Sequence, residues 1–251
     1  MSVTIKSARE IELMREAGRI LAKVHEELEK AIHPGMSTLD IDRLGEKLIR
    51  ERGCIPNFLN YNGYPASICV SVNDEVVHGI PHAEHILQEG DIVSLDAGLI
   101  YKGYHSDAAR THAVGKVSPE AQKLMDVTKQ SFFEGIKMAK AGNHLHQISA
   151  AINDYVDQFG YGVVRDLVGH GIGTHLHEDP QIPNFRQHRR GIKLVPGMTL
   201  AIEPMINAGT REVAWMDDDW TVVTKDHSLS AHYENTILIT DGEPEILTLT
   251  L

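Results

Sequence analysis

The chain has 251 residues, of which 42% are hydrophobic and 24% are charged, and this composition is typical of a folded globular domain rather than a disordered or fibrous chain. With 24 Lys and Arg against 35 Asp and Glu, the formal charge is −11, which argues against a protein that wraps nucleic acid. Its two cysteines, Cys54 and Cys69, are too few for a disulfide scaffold or a thiolate zinc site, and no apolar run approaches the ~18 residues of a membrane span.

Two helices are predicted at the start of the chain. Ser7 and Glu10 have the spacing of a capping box, and apolar residues then recur at helical intervals up to Pro34-Gly35. Ser37 and Asp40 predict the start of a second helix in the same way.

Strands follow these helices, and the same order then occurs again. Strands are predicted for Ser67 to Val72 and for Asp91 to Ala97, and the Lys102-Gly103 turn returns the chain along Tyr104 to Val114. A third helix is predicted after Ser118-Pro119, and a fourth after Ala141-Gly142. The later predicted strands are Asp166 to Val168, Met198 to Ile202, Thr221 to Thr224 and Tyr233 to Thr240.

Residues 107 positions apart match across this repeated order, which indicates an internal duplication. The matched pairs are Gly35 with Gly142, Ile41 with Ile148, Leu87 with Leu194, Gly90 with Gly197, Leu95 with Ile202, and Asp96 with Glu203. Coincidence among common residues is the alternative. We expect one domain, residues 1–251, made of half-repeats at approximately 7–114 and 118–248 that share one core.

Four carboxylates lie within or at the ends of predicted apolar strands, where an unpaired charge is costly to bury. They are Asp96, Asp107, Glu203 and Glu234. The hairpin turn can bring Asp96 and Asp107 opposite each other, and His170 adds an imidazole in a glycine-rich segment. Each residue alone is more often an ordinary hydrogen-bonded group. Together they suit two divalent ions, such as Co, Mn, Fe or Zn, that share carboxylates.

The contexts of these five residues resemble those of the methionine aminopeptidase family. The motifs are Ser94-Leu95-Asp96-Ala97-Gly98, Gly103-Tyr104-His105-Ser106-Asp107, Gly169-His170-Gly171-Ile172-Gly173, Ile202-Glu203-Pro204-Met205 and Tyr233-Glu234-Asn235-Thr236. They occur in the family's order, and the resemblance runs from the first helix to the end of the chain. Glu203 and Glu234 are 31 positions apart, which leaves no room for the insertion of the second type, so the resemblance is to the type I enzymes.

The resemblance implies a fold and an activity. The expected fold is α+β, the pita-bread (creatinase/aminopeptidase) fold, in which two halves related by a pseudo-two-fold axis place helices outside a curved antiparallel sheet. The expected activity is the metal-dependent removal of the initiator methionine from nascent proteins and peptides, with a preference for a small second residue. A cytoplasmic monomer whose partners are nascent polypeptide N-termini is expected, with no membrane partner and no dedicated nucleic-acid binding.

The resemblance also implies a role for each ligand residue. Asp96 would hold one ion through both oxygens, His170 and Glu203 would hold the other, and Asp107 and Glu234 would bridge the two. Glu203 would in addition shuttle the proton of the attacking water.

Further residues are assigned by the same resemblance to the substrate. His177 would donate a hydrogen bond to the scissile peptide, and His78 would bind substrate or transfer a proton near the second residue. The residues expected to wrap the methionine side chain are Tyr61, Tyr64, Cys69 and Trp220. Two expected pocket residues depart from the family pattern, because Phe58 stands where Cys is frequent and Leu176 where an aromatic residue is common.

Alternatives remain for the activity and for one surface segment. A proline-specific aminopeptidase or dipeptidase of the same fold shares the five ligands but usually carries an additional N-terminal domain. A non-catalytic peptide- or RNA-binding relative, or a metal-free hydrolase, would typically lose ligands. The basic run Arg186 to Lys193 is interpreted as a solvated loop, with a transient ribosome contact as the alternative.

Overall fold

The computed structural model describes residues 3–249 of the chain. The helices in this range are Ala8–Ala31 (α1), Thr38–Glu51 (α2), Pro119–Ile136 (α3) and Leu145–Asp157 (α4), and a 3₁₀ turn covers Tyr61–Gly63. The strands are Ile55–Pro56 (β1), Ile68–Val72 (β2), Glu75–Val77 (β3), Ile92–Tyr101 (β4), Tyr104–Ala113 (β5), Gly162–Val163 (β6), Gly169–Gly171 (β7), Glu178–Ile182 (β8), Thr199–Ile202 (β9), Met205–Asn207 (β10), Val213–Trp215 (β11), Val222–Thr224 (β12), Ser230–His232 (β13), Asn235–Leu238 (β14) and Glu245–Ile246 (β15).

All four predicted helices are present, and side-chain caps explain where three of them begin. The Ser7 amide donates to the Glu10 carboxylate at 2.7 Å, and the Glu10 amide donates to the Ser7 hydroxyl. Ser37 and Asp40 form the same reciprocal pair, and Ser118 caps α3. These bonds satisfy backbone donors that the first turn of a helix leaves without partners.

The strands form antiparallel sheets that the helices cover. Strands β4 and β5 pair along their whole length around a turn at Lys102-Gly103, whose φ angles of 49° and 86° are left-handed. Strands β1 and β2 pair with β4. A five-stranded sheet has the order β15-β14-β9-β7-β8, and two three-stranded sheets have the orders β13-β10-β6 and β11-β12-β3.

The hydrophobic core lies between the helices and the sheets in two main clusters. One cluster packs α1 and α2 against β2, β4 and β5, and the other packs α3 and α4 against β9 and β14. Leu95 and Ala97 belong to the first cluster, and the alternation of a strand therefore turns Asp96 to the opposite face of the sheet. Within residues 3–249, no helix combines the length and the apolar character that a bilayer crossing requires.

Backbone hydrogen bonds recur between positions that are 107 residues apart. The Gly35 amide donates to the Leu87 carbonyl at 2.8 Å, and the Gly142 amide donates to the Leu194 carbonyl at 2.9 Å. Both glycines are left-handed, with φ of 91° and 94°. The isolated bridges are Ser37 with Ile86 and His144 with Lys193. The same backbone hydrogen bond and the same isolated bridge thus occur once in each half of the sequence.

Three predicted strands differ from the structure, and one of them, Asp91 to Ala97, continues as β4 to Tyr101. Asp166 to Val168 is not a strand but a bend between β6 and β7, because Leu167 and Val168 line a cavity instead of joining a sheet. Tyr233 to Thr240 is a shorter strand than predicted, since β14 covers only Asn235–Leu238. Just before β14, the backbone pairs with β5 instead, since the Glu234 amide donates to the Ala109 carbonyl at 2.9 Å.

Candidate metal centre

A cavity of about 300 Å³ opens on the sheet face opposite the helices. All thirteen residues that the sequence assigns to the site line this cavity. They are Phe58, Tyr61, Tyr64, Cys69, His78, Asp96, Asp107, His170, Leu176, His177, Glu203, Trp220 and Glu234. A larger cavity of about 450 Å³ lies between α1 and α3 and is lined by none of them. The chemistry-bearing residues therefore converge at one place despite their wide separation in sequence.

The hairpin of β4 and β5 places the first two carboxylates. Asp96 pairs with Ala109 and Gly98 pairs with Asp107, so Asp96 and Asp107 are diagonal neighbours. The two residues were expected to lie opposite each other, but Asp107 lies two positions from the residue that faces Asp96. The two-residue turn sets this register. Diagonal neighbours on one face of a sheet are still close enough for both carboxylates to approach one ion.

The other three residues come from the five-stranded sheet and its ends. His170 lies in β7, Glu203 follows β9, and Glu234 precedes β14. The His170 Nε2 atom is 3.6 Å from Glu203 Oε1 and 3.9 Å from Asp107 Oδ2. One ligand atom each from Asp107, His170 and Glu234 lie within 4.8 Å of one another. A single cation can therefore be reached from both sheets.

Burial and mutual repulsion make the four carboxylates difficult to ionise. Burial raises the pKa of Asp96 to about 7. Burial, and then the charge of Asp96, raise the pKa values of Asp107 and Glu203 well above their usual range. For Glu234 burial is again the main cause, followed by the charges of Asp107 and Glu203. Without a cation these groups favour protonation at neutral pH.

The donors at the site fit divalent metal ions. Asp96 Oδ1, Asp107 Oδ1 and Glu234 Oε1 are buried and have no hydrogen-bond partner among the described residues. His170 Nδ1 lies 2.8 Å from the Gly171 carbonyl, to which it can donate, and its Nε2 lone pair then faces the carboxylates. Burial lowers the pKa of His170 to about 3, which keeps the ring neutral as a ligand must be. Carboxylate oxygens with one imidazole are donors that Mn, Fe, Co and Zn accept.

Two further histidines face the cavity in neutral form. Burial lowers the pKa of His78 to about 4 and also lowers the pKa of His177. The His177 ring lies 4.3 Å from the His170 ring, and its Nδ1 is 2.7 Å from the Tyr61 hydroxyl. His78 has a left-handed backbone, with φ of 60°. A non-glycine residue in this conformation is strained, and such strain is typical of side chains held in a required direction.

The apolar side of the cavity is formed by one hydrophobic cluster. Its buried members include Phe58, Tyr64, Cys69 and Leu176, and Tyr61 and Trp220 pack against them. The Tyr64 and Trp220 rings meet edge to face at 5.2 Å. Burial raises the pKa of the Cys69 thiol well above its usual value, so this cysteine contributes an apolar surface rather than a thiolate.

Five residues that line the cavity were not predicted from the sequence. They are Asn62, Val77, Leu167, Val168 and Met205. Val77, Val168 and Met205 adjoin His78, the glycine-rich segment and the Glu203 motif, so their neighbours in sequence could have indicated them. Asn62 and Leu167 lie in irregular segments with no motif of their own. Only the packing of distant loops brings these two to the cavity.

The basic run lies apart from this cavity. Arg189 and Arg190 are exposed, and Arg186 pairs with Asp154 at the end of α4. The His146 Nδ1 atom is 2.9 Å from the Arg190 carbonyl. The arrangement is that of a loop held on the surface with its guanidinium groups directed to solvent.

Comparisons with known proteins agree on one family. The model of metallopeptidase family M24 matches residues 12–241. A methionine aminopeptidase of Clostridium acetobutylicum is 56% identical over 98% of this chain and 99% of its own length. Methionine aminopeptidase 1 of Bacillus subtilis is 51% identical over 98% of this chain and 99% of its own length.

Solved structures confirm the expected pita-bread fold. A methionine aminopeptidase from Thermotoga maritima superposes with a TM-score of 0.97 at 44% identity, covering 99% of this chain and 100% of that chain. An Xaa-Pro dipeptidase from Bacillus anthracis gives a TM-score of 0.80 at 27% identity, covering 98% of this chain and 62% of that chain. The fold is therefore shared with proline-specific enzymes, but the likeness to methionine aminopeptidases is greater. The chain belongs to metallopeptidase family M24.

Proposed function

We propose that this protein is a methionine aminopeptidase, which removes the N-terminal methionine from nascent proteins and peptides when a small residue follows. One observation carries the proposal: Asp107, His170 and Glu234 converge within 4.8 Å beside an apolar cluster that contains Tyr64 and Cys69. A hydrolytic centre thus adjoins a pocket suited to a thioether side chain, which packs well against aromatic faces. Identities of 51% and 56% to proteins of that name support it.

Five residues would hold two divalent ions. Asp96 would bind one ion, His170 and Glu203 the other, and Asp107 and Glu234 both. When bound, the ions supply Lewis acidity, which lowers the pKa of water and polarises a peptide carbonyl. The unpartnered oxygens of Asp96, Asp107 and Glu234 support this assignment, since a buried carboxylate oxygen without a partner is costly.

Glu203 would carry the proton during peptide hydrolysis. As the water oxygen bonds to the carbonyl carbon of the methionine, the Glu203 carboxylate accepts the proton that the water loses. As the peptide bond breaks, Glu203 delivers this proton to the nitrogen of the second residue. Glu203 lines the cavity, and its Oε1 lies 3.6 Å from His170 Nε2, so its carboxylate is placed beside the groups that would hold the ions.

The two neutral histidines would orient the peptide. His177 would donate a hydrogen bond to the scissile peptide, and His78 would contact the leaving nitrogen or the second residue. Both line the cavity, and both have pKa values lowered by burial, so neither adds a positive charge at neutral pH. Hydrogen bonds from groups that are already fixed stabilise charge that develops on the carbonyl oxygen.

The methionine side chain would lie in the apolar part of the cavity. Phe58 and Leu176, the two departures from the family pattern, are buried in the same cluster as the aromatic residues. They therefore keep the pocket apolar. Tyr61, Tyr64, Cys69 and Trp220 would complete the wall around the thioether.

The remaining assignments concern the whole protein. We propose one domain, residues 1–251, with half-repeats at approximately 7–114 and 118–248, and the hydrogen bonds that recur 107 positions apart support the duplication. The protein would act as a cytoplasmic monomer on nascent polypeptide N-termini. The exposed basic run Arg186 to Lys193 would be a solvated loop, with a transient ribosome contact as the alternative.

The direct test measures amino-acid release from three peptides. Metal-stripped protein is incubated with Met-Ala-Ser, acetyl-Met-Ala-Ser and an Ala-Pro peptide, each with and without Mn, Fe, Co or Zn. We expect release of methionine from the free Met-Ala-Ser peptide alone, and only with metal. Cleavage of the Ala-Pro peptide instead would assign the protein to the proline-specific enzymes. No turnover with any metal would favour a binding protein.

Matched variants separate the metal centre from the rest of the surface. His170→Ala removes the single imidazole ligand and should abolish methionine release, whereas His188→Ala removes an exposed imidazole and should leave it unchanged. The ribosome contact is tested with Arg189→Ala combined with Arg190→Ala. Unchanged ribosome affinity in that double variant would eliminate the contact. The control is a double variant that removes two positive charges from α1 instead of from the basic run.

A further inference from the structure

Tyr61 lies in a short loop whose backbone is strained on both sides of it. Asn60, Asn62 and Gly63 have left-handed φ angles of 65°, 51° and 93°. Asparagine tolerates this region better than other non-glycine residues, but the conformation still costs free energy. Strain of this kind persists where the surrounding structure over-determines it, and it is concentrated at functional sites.

Hydrogen bonds hold this loop in one conformation. The Tyr61 amide donates to the Phe58 carbonyl at 2.9 Å, and the Asn60 amide donates to the Tyr64 carbonyl at 2.8 Å. The buried Tyr64 hydroxyl donates to the Gly79 carbonyl at 2.8 Å and anchors the end of the loop. The Tyr61 ring is therefore carried on a rigid support beside the cavity.

The Tyr61 hydroxyl contacts His177, which is 116 positions further along the chain. The hydroxyl oxygen is 2.7 Å from His177 Nδ1, and the two ring centroids are 5.2 Å apart. A neutral imidazole carries one proton, on one of its two nitrogens. Because Nδ1 is engaged by Tyr61, only Nε2 is left to contact a substrate.

The chemistry of the two groups favours one direction for this hydrogen bond. A phenol is a better hydrogen-bond donor than an imidazole N–H, and an unprotonated imidazole nitrogen is a better acceptor than a phenolic oxygen. The separation of 2.7 Å is typical of a bond donated by a hydroxyl, whereas N–H donors usually lie about 2.9 Å from the acceptor. The Tyr61 hydroxyl is therefore the favoured donor and His177 Nδ1 the favoured acceptor.

We propose that Tyr61 is a positioning residue, whose hydroxyl donates to Nδ1 of His177 and keeps the imidazole proton on Nε2, directed at the scissile peptide. The inference rests on the proposed function, because it concerns the hydrogen bond that His177 gives to the substrate. If the direction were reversed, Nε2 would carry a lone pair and His177 could not donate from it. Fixing a tautomer through the second ring nitrogen is a general way of preparing a histidine for its task.

The tautomer can be measured directly in the protein. Histidine-selective ¹⁵N labelling of the protein loaded with Zn²⁺, which is diamagnetic, distinguishes protonated from unprotonated ring nitrogens, and His177→Gln assigns the signals. We expect Nε2 protonated and Nδ1 unprotonated in the wild type, and a mixture of tautomers in Tyr61→Phe. A proton on Nδ1 in the wild type, or an unchanged His177 signal in Tyr61→Phe, would overturn the proposal.

Kinetics test whether the tautomer matters for hydrolysis. Tyr61→Phe keeps the ring that faces the methionine and removes only the hydroxyl, so kcat on Met-Ala-Ser should fall about fivefold while KM changes less than about twofold. In a His177→Gln background the same substitution should cause no further loss of kcat. An equal loss in both backgrounds, or an effect on KM alone, would show that Tyr61 acts only as a wall of the pocket.

The Tyr64 hydroxyl, in the same loop, provides a control for the loss of the Tyr61 hydroxyl. Tyr64→Phe removes a hydroxyl that bonds the Gly79 carbonyl, and it should leave the His177 tautomer unchanged. A change in that tautomer would mean that any loss of a hydroxyl from this loop disturbs His177, which contradicts a specific role for Tyr61. Failure of the wild type to release methionine would refute the proposed function, and the NMR measurement would still decide the direction of the hydrogen bond.

Discussion

Removing the metal should make the stability of this protein depend on pH through Asp96. Its pKa rises from 3.8 to about 7, chiefly because of burial. A group whose pKa is higher in the folded state holds its proton in the folded protein over a pH range in which the unfolded chain has lost it. Its contribution to stability is therefore complete below pH ~4 and is lost as the pH rises through about 7.

The size of the effect follows from the same values. A rise from 3.8 to about 7 corresponds to at most about 4 kcal/mol, at about 1.4 kcal/mol for each pH unit. The cavity leaves part of Asp96 accessible, and water there reduces the figure. Asp96→Asn removes the ionisation, so the metal-free variant should gain stability over the metal-free wild type between pH 5 and 8. For a chain of this length the gain in Tm reaches about 10 °C.

The assay is thermal unfolding of both metal-stripped proteins, followed by circular dichroism at several pH values. Histidines whose pKa values burial lowers, such as His78 and His170, change stability in the opposite direction, but they are present in both proteins and cancel in the difference. Besides burial, the Asp96 charge raises the pKa values of Asp107, Glu203 and Glu234, so its removal relieves repulsion among them and adds to the gain in the same direction. Added Mn²⁺ or Zn²⁺ should reverse the order, because the wild type then has the complete ligand set. A difference in Tm that is constant from pH 5 to 8 would refute the reasoning.

Three further substitutions test the packing that supports the site. Phe132→Ala should cost about 4 kcal/mol of unfolding free energy in urea titrations, since this side chain is fully buried, whereas Phe133→Ala should cost less because it is only partly buried. Gly79→Ala would place a Cβ 2.3 Å from the Val70 carbonyl oxygen, so we expect lower stability in the same titration and lower methionine release, as the neighbouring backbone shifts. Arg110→Lys should cost about 2 kcal/mol, because a lysine cannot reproduce the several hydrogen bonds of the buried guanidinium, and urea titration again measures it. Unchanged midpoints in any of these would contradict the contact concerned.

Local features of the fold were predictable from the sequence because local interactions decide them. Ser7 and Glu10 lie three residues apart, and their reciprocal hydrogen bonds need nothing beyond the first turn of α1. The Lys102-Gly103 turn likewise fixes its hairpin through two left-handed residues. In both cases the residues that decide the structure are neighbours in the chain.

Features that depend on distant partners were missed. The strand predicted from Tyr233 begins only at Asn235, because the Glu234 backbone bonds to Ala109 of β5, far back in the sequence. Nothing in the local composition indicates that exchange. The contact between Tyr61 and His177 has the same character, since it joins two loops whose own patterns carry no sign of each other. Polar residues in apolar strands indicate the candidate ligands, but only the tertiary structure shows which residues of neighbouring strands lie beside them.

The centre depends on contacts between the two halves of the sequence. Asp107 belongs to β5 in the first half and Glu234 precedes β14 in the second, and the Ala109 and Glu234 backbones exchange hydrogen bonds at 2.9 and 3.4 Å. The Thr236 hydroxyl also bonds to the Asp107 backbone, at 2.9 and 3.1 Å. Carboxylates that repel one another are thus held together by backbone contacts a few residues away. A cation shared by both halves would offset that repulsion only in the folded protein, so metal binding and folding should be coupled.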